Sequence, residues 1–407
     1  METITPSTSA TGCPIDHSQL SARKVDRPPV PTLPLECDDH GVWHIHRFDL
    51  VRKVLRSTQT RQGGFGVEYT NTAVMAKIPV LYAEGTTHTE QRKSTARFFT
   101  PTTVSTRYRQ FIDAQVDHLI ADFKAKRRAD LSEISLALAV QTAARIVGLN
   151  RSLFNGMDQR LDSFFTMQMR PASDSPWQKL AILLNIRVML AFFLVDVRPS
   201  IAEHRKHPQD DLISHLLNQG YNDREILTEV VTYAAAGMVT TREFISMAAW
   251  HFLEHPDLRN RYVNAPEEER QEILHEILRV EPIVGSIQRY ATEPIALDYD
   301  GQQVQIPQGA KIDLDIYASN TEHTVVGDAA DRVCPGREIQ GDQIPSMLMS
   351  FGDGAHRCPG AYVAIQETDM LLSKLMALDG IHIAQKPTIS WGDLSTGYEL
   401  RNFIIAL

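Results

Sequence analysis

Apolar positions recur along most of the chain at the spacing of amphipathic helices. In RQFIDAQVDHLIADFKAKR, Ile112, Val116, Leu119, Ile120 and Phe123 follow the i, i+4, i+7 rhythm that lays one stripe against a core. Leu131 to Val147 predicts a second helix, stopping at Gly148. Between Asn222 and His255 the chain has no proline and a single glycine and is apolar on most faces. At 1.5 Å rise per residue it predicts a helix of about 45–50 Å crossing the interior. The slimmest point of that helix, Ala234-Ala235-Ala236-Gly237, is a notch that would admit a flat group. Glycine there costs about 1 kcal/mol relative to alanine, which points to a packing reason.

After QEILHEILRVEP, a helix closed by Pro282, the rhythm changes to strand alternation. Leu297 and Tyr299 precede a hairpin turn at Asp300-Gly301, and Val304 and Ile306 follow it. Phe403 to Leu407 reads as another short strand. Residues 1–35, rich in Ser, Thr and Pro and without periodicity, predict an extended N-terminal arm, with order beginning near Gly41. A length of 407 residues suggests two or three domains. No Gly/Ser- or Pro-rich linker divides the middle, so residues 36–407 read as one domain, mainly α with a minor antiparallel β region.

Charge narrows the possible partners. With 41 Lys and Arg against 50 Asp and Glu, the net charge of −9 lacks the broad positive field that phosphate backbones require, so nucleic acid is excluded as a partner. The N-terminus has no basic and apolar signal pattern, and the most apolar stretch, Ala181 to Val197, is interrupted by Asn185 and Arg187. A membrane span needs about 20 apolar residues, so the expectation is a cytoplasmic protein without membrane insertion. Four cysteines, at 13, 37, 334 and 358, are too few for a disulfide framework and form no CxxC pair, which suggests a reducing compartment.

The most informative stretch is Phe351-Gly352-Asp353-Gly354-Ala355-His356-Arg357-Cys358-Pro359-Gly360, followed at once by the amphipathic pattern Ala361, Ala364, Ile365, Thr368, Leu371, Leu372. Cys358 therefore sits at a helix N-terminus, where unpaired amides and the dipole favour a thiolate able to bind a metal. Gly352 and Gly354 permit a tight turn, Gly360 allows close approach of a planar ligand, and Phe351 shields the sulfur. FGDGAHRCPG resembles the haem-binding signature of the cytochrome P450 family, FxxGxHxCxG, with every specified position filled. The resemblance implies haem b (iron protoporphyrin IX), with Cys358 as the proximal iron ligand. Cys334, in VCPGR, lacks the upstream Phe, Gly and His and reads as a bystander; Cys13 and Cys37 need no special role.

Further landmarks of that family occur in order from about residue 40 onward. Glu276 and Arg279 form ExxR, which the resemblance joins to Arg337. The usual Phe of the preceding segment is Val333. His88 and Arg92 resemble the HxxxR propionate anchor, and Arg289 and His356 would complete the set, because buried carboxylates need cationic or hydrogen-bonding partners. Ala236-Gly237-Met238-Val239-Thr240-Thr241 resembles AGx(D/E)T(T/S), in which the small pair accommodates dioxygen and the threonine hydroxyl steers protons. Thr240 and Thr241 are thus the candidate catalytic residues. Read without the family, Thr240 would simply bond its own i−4 carbonyl. The acid expected before it is Val239, so protons would arrive through Thr240 and ordered water or through a polar group of the substrate.

His251-Phe252-Leu253-Glu254-His255 fits HxxEH, a zinc-peptidase pattern and the rival enzyme class, but Pro256 places His255 at a fraying helix end. Gly63-Gly64-Phe65-Gly66 and Gly352-Asp353-Gly354 complete no nucleotide loop, and no flavin or nicotinamide domain is visible. Electrons would come from ferredoxin and ferredoxin reductase type donors. The basic run Arg92, Lys93, Arg97, Arg107 and Arg109 would steer an acidic ferredoxin, or simply form a solvated helix face. Dioxygen and a small, largely apolar organic substrate complete the expected set. By family position the pocket would be lined between Phe65 and Leu81, near Phe165 and Met169, by Tyr233 to Thr240, by Ile283 to Ile287, and near Thr396. The alternative within the class is haem-thiolate chemistry other than hydroxylation, because of Val239.

Overall fold

The structure is a computed structural model that describes residues 21–26, 33–67, 77–154, 156, 157, 160, 187, 190–341, 343–392 and 396–407. Cys13, Phe165, Met169, residues 68–76 of the expected pocket lining and residues 181–186, 188 and 189 of the Ala181 to Val197 stretch lie outside the described residues. Helices dominate. Those that position the site are α1 (Gly85–Thr95), α2 (Arg109–Lys126), α3 (Leu131–Val147), α4 (Asp223–Glu254), α5 (Glu267–Val280) and α6 (Ala361–Met376).

Local chemistry sets their ends. The Asp130 carboxylate accepts the Ser132 N–H at the start of α3, and Gly148, at φ +98°, closes it in the left-handed region. The long helix α4 begins with a reciprocal capping box. Asn222 Oδ1 accepts the N–H groups of Arg224 and Glu225, while Glu225 returns a carboxylate oxygen to the Asn222 N–H at 2.8 Å. Its 32 residues span about 48 Å, as the unbroken apolar pattern predicts.

The β part is built around one five-stranded sheet. Its strands are β1 (Leu35–Cys37), β2 (Val42–Ile45), β3 (Thr60–Gln62), β4 (Ser286–Ala291) and β5 (Lys311–Asp315), in the order β1-β2-β5-β4-β3. All its ladders are antiparallel except β2 with β5, which is parallel, Val42 facing Lys311. The hairpin of Ile295–Tyr299 and Gln302–Ile306 turns through Asp300 and Gly301, both at positive φ. Residues Ile404–Ala406 form the expected C-terminal strand, paired with Arg128–Asp130 and His382–Gln385.

Two apolar cores result. A large one joins α2 to α6, and a smaller one lies between the sheet and the helix Phe48–Arg56. Phe351 packs against the first and Ile287 against the second, so the cysteine loop lies where the two cores meet.

The N-terminal arm needs correction. Ser21 and Ala22 pair with Val333 and Arg332, Val25 is buried in the large core, and Leu35–Cys37 is a sheet strand, so order begins well before Gly41. Strands of two or three residues are too short to show periodicity, and the backbone supplies their pairing.

Candidate functional site

The segment before α6 folds as a tight loop around Cys358. The Cys358 N–H donates to the Phe351 carbonyl at 2.9 Å, and Gly352 and Gly354 adopt φ of +67° and +68°. The Asp353 carboxylate accepts from Arg52 Nε at 3.0 Å and Arg56 Nε at 2.8 Å, and it also caps the Gly354 N–H. The loop is thereby clamped to the helix Phe48–Arg56. Gly360 is the N-cap of α6.

The thiol departs from expectation in one respect. Burial pushes the Cys358 pKa up, while the N–H groups of Gly360 and Ala361 and the guanidiniums of Arg92 and Arg357 pull it down without winning. The helix terminus alone therefore does not favour a thiolate. Cys358 is nonetheless exposed as a residue, although its sulfur is surrounded by dense protein.

Four predicted ligand-binding residues converge beside it. The His88 ring stacks on the His356 ring with centroids 4.0 Å apart. His356 Nε2 lies 3.0 Å from Glu84 Oε2, and a nitrogen of the Arg92 guanidinium donates to the Arg357 carbonyl. Arg289 enters from the sheet. The register pairs it with Gln62, whose Oε1 it meets at 2.5 Å. Burial, with His356 and Arg92 nearby, lowers the His88 pKa to about 4, so its ring is neutral near pH 7. Burial also lowers Arg289 to about 10, against a smaller opposing pull from Glu84.

Glu84 is the residue that sequence reading missed. It is the N-cap of α1, bonds both the Gln62 N–H and His356, and belongs to no motif; its only signal is an acid four positions before His88.

This donor set fits an iron porphyrin. Arg289 is buried and Arg92 half-buried, and neither has a carboxylate hydrogen-bonded to it among the described residues, which suits a ligand carrying two carboxylates. A thiol held up by burial also suits an added metal cation, which would favour its anionic form.

On α4, Ala236 is exposed although Ala234 and Met238 on either side are each 1% exposed, so the helix middle faces a gap. Gly237 turns instead toward Ala143 of α3, from which a Cβ would stand 3.8 Å. Thr240 donates its hydroxyl to the Ala236 carbonyl at 2.7 Å, the i−4 bond that a helical threonine makes by itself. Thr241 is not brought to the same face. It is buried beside the carboxyl of Glu367 on α6, together with Thr142, and burial raises that carboxyl to about 8. At the edge of the expected pocket, Thr396 donates its hydroxyl to the Ser286 carbonyl at 2.9 Å, joining two of the predicted lining segments.

Behind the loop, Glu276 and Arg279 form a bidentate pair at 2.7 and 2.8 Å, and Arg337 Nε reaches Glu276 at 2.9 Å. The two guanidiniums also collect backbone carbonyls, including Asn320 and Ala330 for Arg279 and Val326 and Asp328 for Arg337. All three side chains are buried, so this is a load of fixed charge satisfied by the chain around it.

Two other expectations change, and the rival motif is placed as well. Cys334 is no bystander: it is buried and disulfide-bonded, whereas Cys37 and Cys358 are free. The basic run is largely neutralised, since Arg107 pairs with Asp210 at 2.6 Å, Arg97 with the same carboxylate at 3.5 Å and Arg109 with Glu267 at 2.8 Å. The HxxEH residues do not converge. His251 Nδ1 bonds Ser21 Oγ at 2.8 Å, Glu254 is held by Lys24 and Lys386, and no group of three metal-ligating side chains occurs among the described residues. Among those residues no helix is long and apolar enough to cross a membrane.

Comparison with known proteins matches this geometry. Residues 270–378, which hold the ExxR pair, the cysteine loop and α6, match the family model "Cytochrome P450". The chain is 28% identical over 357 residues to the erythromycin C-12 hydroxylase of Saccharopolyspora erythraea, covering 85% of this chain and 84% of the relative. It is 23% identical to the biotin biosynthesis cytochrome P450 of Bacillus subtilis, covering 82% of each. Among solved structures, CalO2 superposes with a TM-score of 0.76 at 22% identity, covering 92% of each chain. A mutant of P450 EryK in complex with erythromycin B superposes with 0.74 at 24%, covering 92% of this chain and 93% of that one. With the cysteine loop, its cationic surround and these matches in agreement, the chain resembles cytochrome P450s, in its fold and, over residues 270–378, in its match to their family model.

Proposed function

We propose that the chain binds haem b through Cys358 and oxidises a small, largely apolar organic substrate. Ferredoxin and ferredoxin reductase type proteins supply the two electrons. The observation that carries this reading is the juxtaposition of the Cys358 loop with the guanidiniums of Arg92, half-buried, and Arg289, buried. When bound, the haem supplies activation of dioxygen, so that one oxygen atom enters a substrate bond and the other leaves as water, with two electrons and two protons consumed.

The chain's residues supply the setting. Arg92, Arg289 and His356, with the neutral His88 stacked on His356, would bind the propionates; Gly360 and Ala361 orient the sulfur through their N–H groups. Phe351 packs beside the loop and keeps water from it, and Ala236 leaves room over the opposite face. Thr240 must exchange its bond to the Ala236 carbonyl for one to water or substrate to pass a proton, because Val239 offers none. The names of the relatives, an erythromycin hydroxylase and steroid C26-monooxygenases, support an organic substrate.

The reduced protein with carbon monoxide should give the spectrum of a thiolate-ligated haem, and Cys358→Ser should abolish it together with turnover. Protein that stays colourless after reconstitution with hemin would overturn the reading. The absence of an acid at Val239 also favours a second reading, haem-thiolate chemistry without hydroxylation. Dioxygen consumption tied to substrate separates the two.

A further inference from the structure

One buried acid on α4 has no task in the chemistry above. Glu229 lies seven residues before Ala236 and eleven before Thr240, about two and three turns along the same face of the helix. Between Glu229 and Thr240 the helix is partly open at Val231, Thr232, Tyr233, Ala235 and Ala236, whereas residues 241–250 are uniformly buried. The side chain is 4% exposed. One oxygen, Oε1, accepts the Val80 N–H at 3.1 Å, and Val80 belongs to the expected pocket lining. The other, Oε2, is buried and has no partner among the described residues.

Two neighbouring donors are engaged elsewhere. The Tyr233 hydroxyl donates to Thr95 Oγ1 at 3.1 Å, and the Lys77 ammonium sits 3.5 Å over the Tyr221 ring and reaches the Gln219 carbonyl. Gln91, which like Glu229 stands beside Tyr221, gives its Nε2 to the Ile78 carbonyl and leaves its own Oε1 buried without a partner. Two unsatisfied acceptors therefore flank residues 78–80, and native interiors rarely leave such atoms unpaired. Burial raises the Glu229 carboxyl to about 7, which agrees with the lack of a resident cation.

We propose that Glu229 anchors the substrate, its free oxygen accepting an N–H donor on a cationic group such as an amidinium or guanidinium, placed about 10 Å along α4 from the carbon held over Ala236. This rests on the haem-thiolate reading and gives it a substrate class: an apolar skeleton with one positively charged donor remote from the oxidised carbon.

The test uses the haem-loaded protein and two probes with one phenylalkyl skeleton, one ending in guanidinium and the other in a methyl ether. The shift of the Soret band reports binding. The wild type should bind the guanidinium about tenfold more tightly than the ether. Glu229→Gln should remove that preference while leaving ether affinity within about twofold. Glu229→Asp, which keeps the charge one methylene shorter, should lose about threefold for the guanidinium and nothing for the ether, and it carries the test if the Gln variant does not fold. Equal binding of the two probes by the wild type overturns the proposal. So does an equal loss for both probes in the variants, which would make Glu229 a support for Val80 alone. A normal reduced carbon monoxide spectrum accompanying either result confines the failure to this anchor, whereas a missing spectrum in the wild type defeats the haem-thiolate reading itself.

Discussion

Gly354 presses against Leu55: a Cβ on the glycine would stand 2.4 Å from the Leu55 carbonyl oxygen. Gly354 also holds φ at +68°, so alanine there meets both backbone strain and a clash with a backbone that cannot move aside. Gly354→Ala should therefore cost more than the roughly 1 kcal/mol of conformational strain alone. It should also weaken haem retention by pushing the Cys358 loop off the helix Phe48–Arg56. Gly309→Ala, at φ +84° with nothing within 4 Å, serves as the control and should cost only the strain. Urea unfolding of the haem-loaded variants checks this, and equal losses would contradict it.

Glu276 is shared by two guanidiniums and by the Cys334 N–H. Glu276→Ala would leave Arg279 and Arg337 buried without a counter-charge, a loss of about 3–5 kcal/mol. Chemical denaturation should show the drop, together with slower or incomplete haem uptake. A variant within about 1 kcal/mol of wild type would show that the carbonyls around the two arginines suffice.

Glu367 yields a pH prediction. Its carboxyl is raised from 4.5 to about 8 by burial, so between these values the folded chain keeps a proton that the unfolded chain releases. The stability from this neutral form is fully present below about 4.5 and is lost as pH rises through about 8. Glu367→Gln removes the proton from the balance. The variant should therefore gain on wild type as pH climbs from 5 to 8, by a few kcal/mol at about 1.4 kcal/mol per unit. Thermal unfolding of both proteins across that range measures the difference, and a constant gap would refute the assignment.

Val239 separates Met238 from Thr240 where the family places an acid. Val239→Asp should increase product formed per NAD(P)H consumed, because the carboxyl would give Thr240 a proton source within its own helix turn. Unchanged coupling and unchanged rate would mean that protons already reach Thr240 by another route.

The parts legible in the sequence are those written in a short, contiguous code. The α4 helix showed in its unbroken apolar run and the cysteine loop in ten consecutive residues. The Asp300-Gly301 hairpin was equally local. What escaped depends on contacts between distant segments. Glu84 matters because Gln62 and His356 meet it, and Arg107 is neutralised by Asp210, over a hundred residues away. The thiol of Cys358 was misjudged because a helix terminus is visible in sequence and the protein packed around the sulfur is not. Glu229 carried no motif at all; only the empty side of its carboxyl singles it out.

The pairing of Gln62 with Arg289 puts one of the cationic groups on the sheet, whereas Cys358 and Arg92 come from helical parts of the chain. A haem held by these groups would act as a rivet between two layers that each have their own apolar interior. Bleaching on heating should then report the parting of those layers before either has melted, and added hemin should tighten the seam between them more than it stiffens either body.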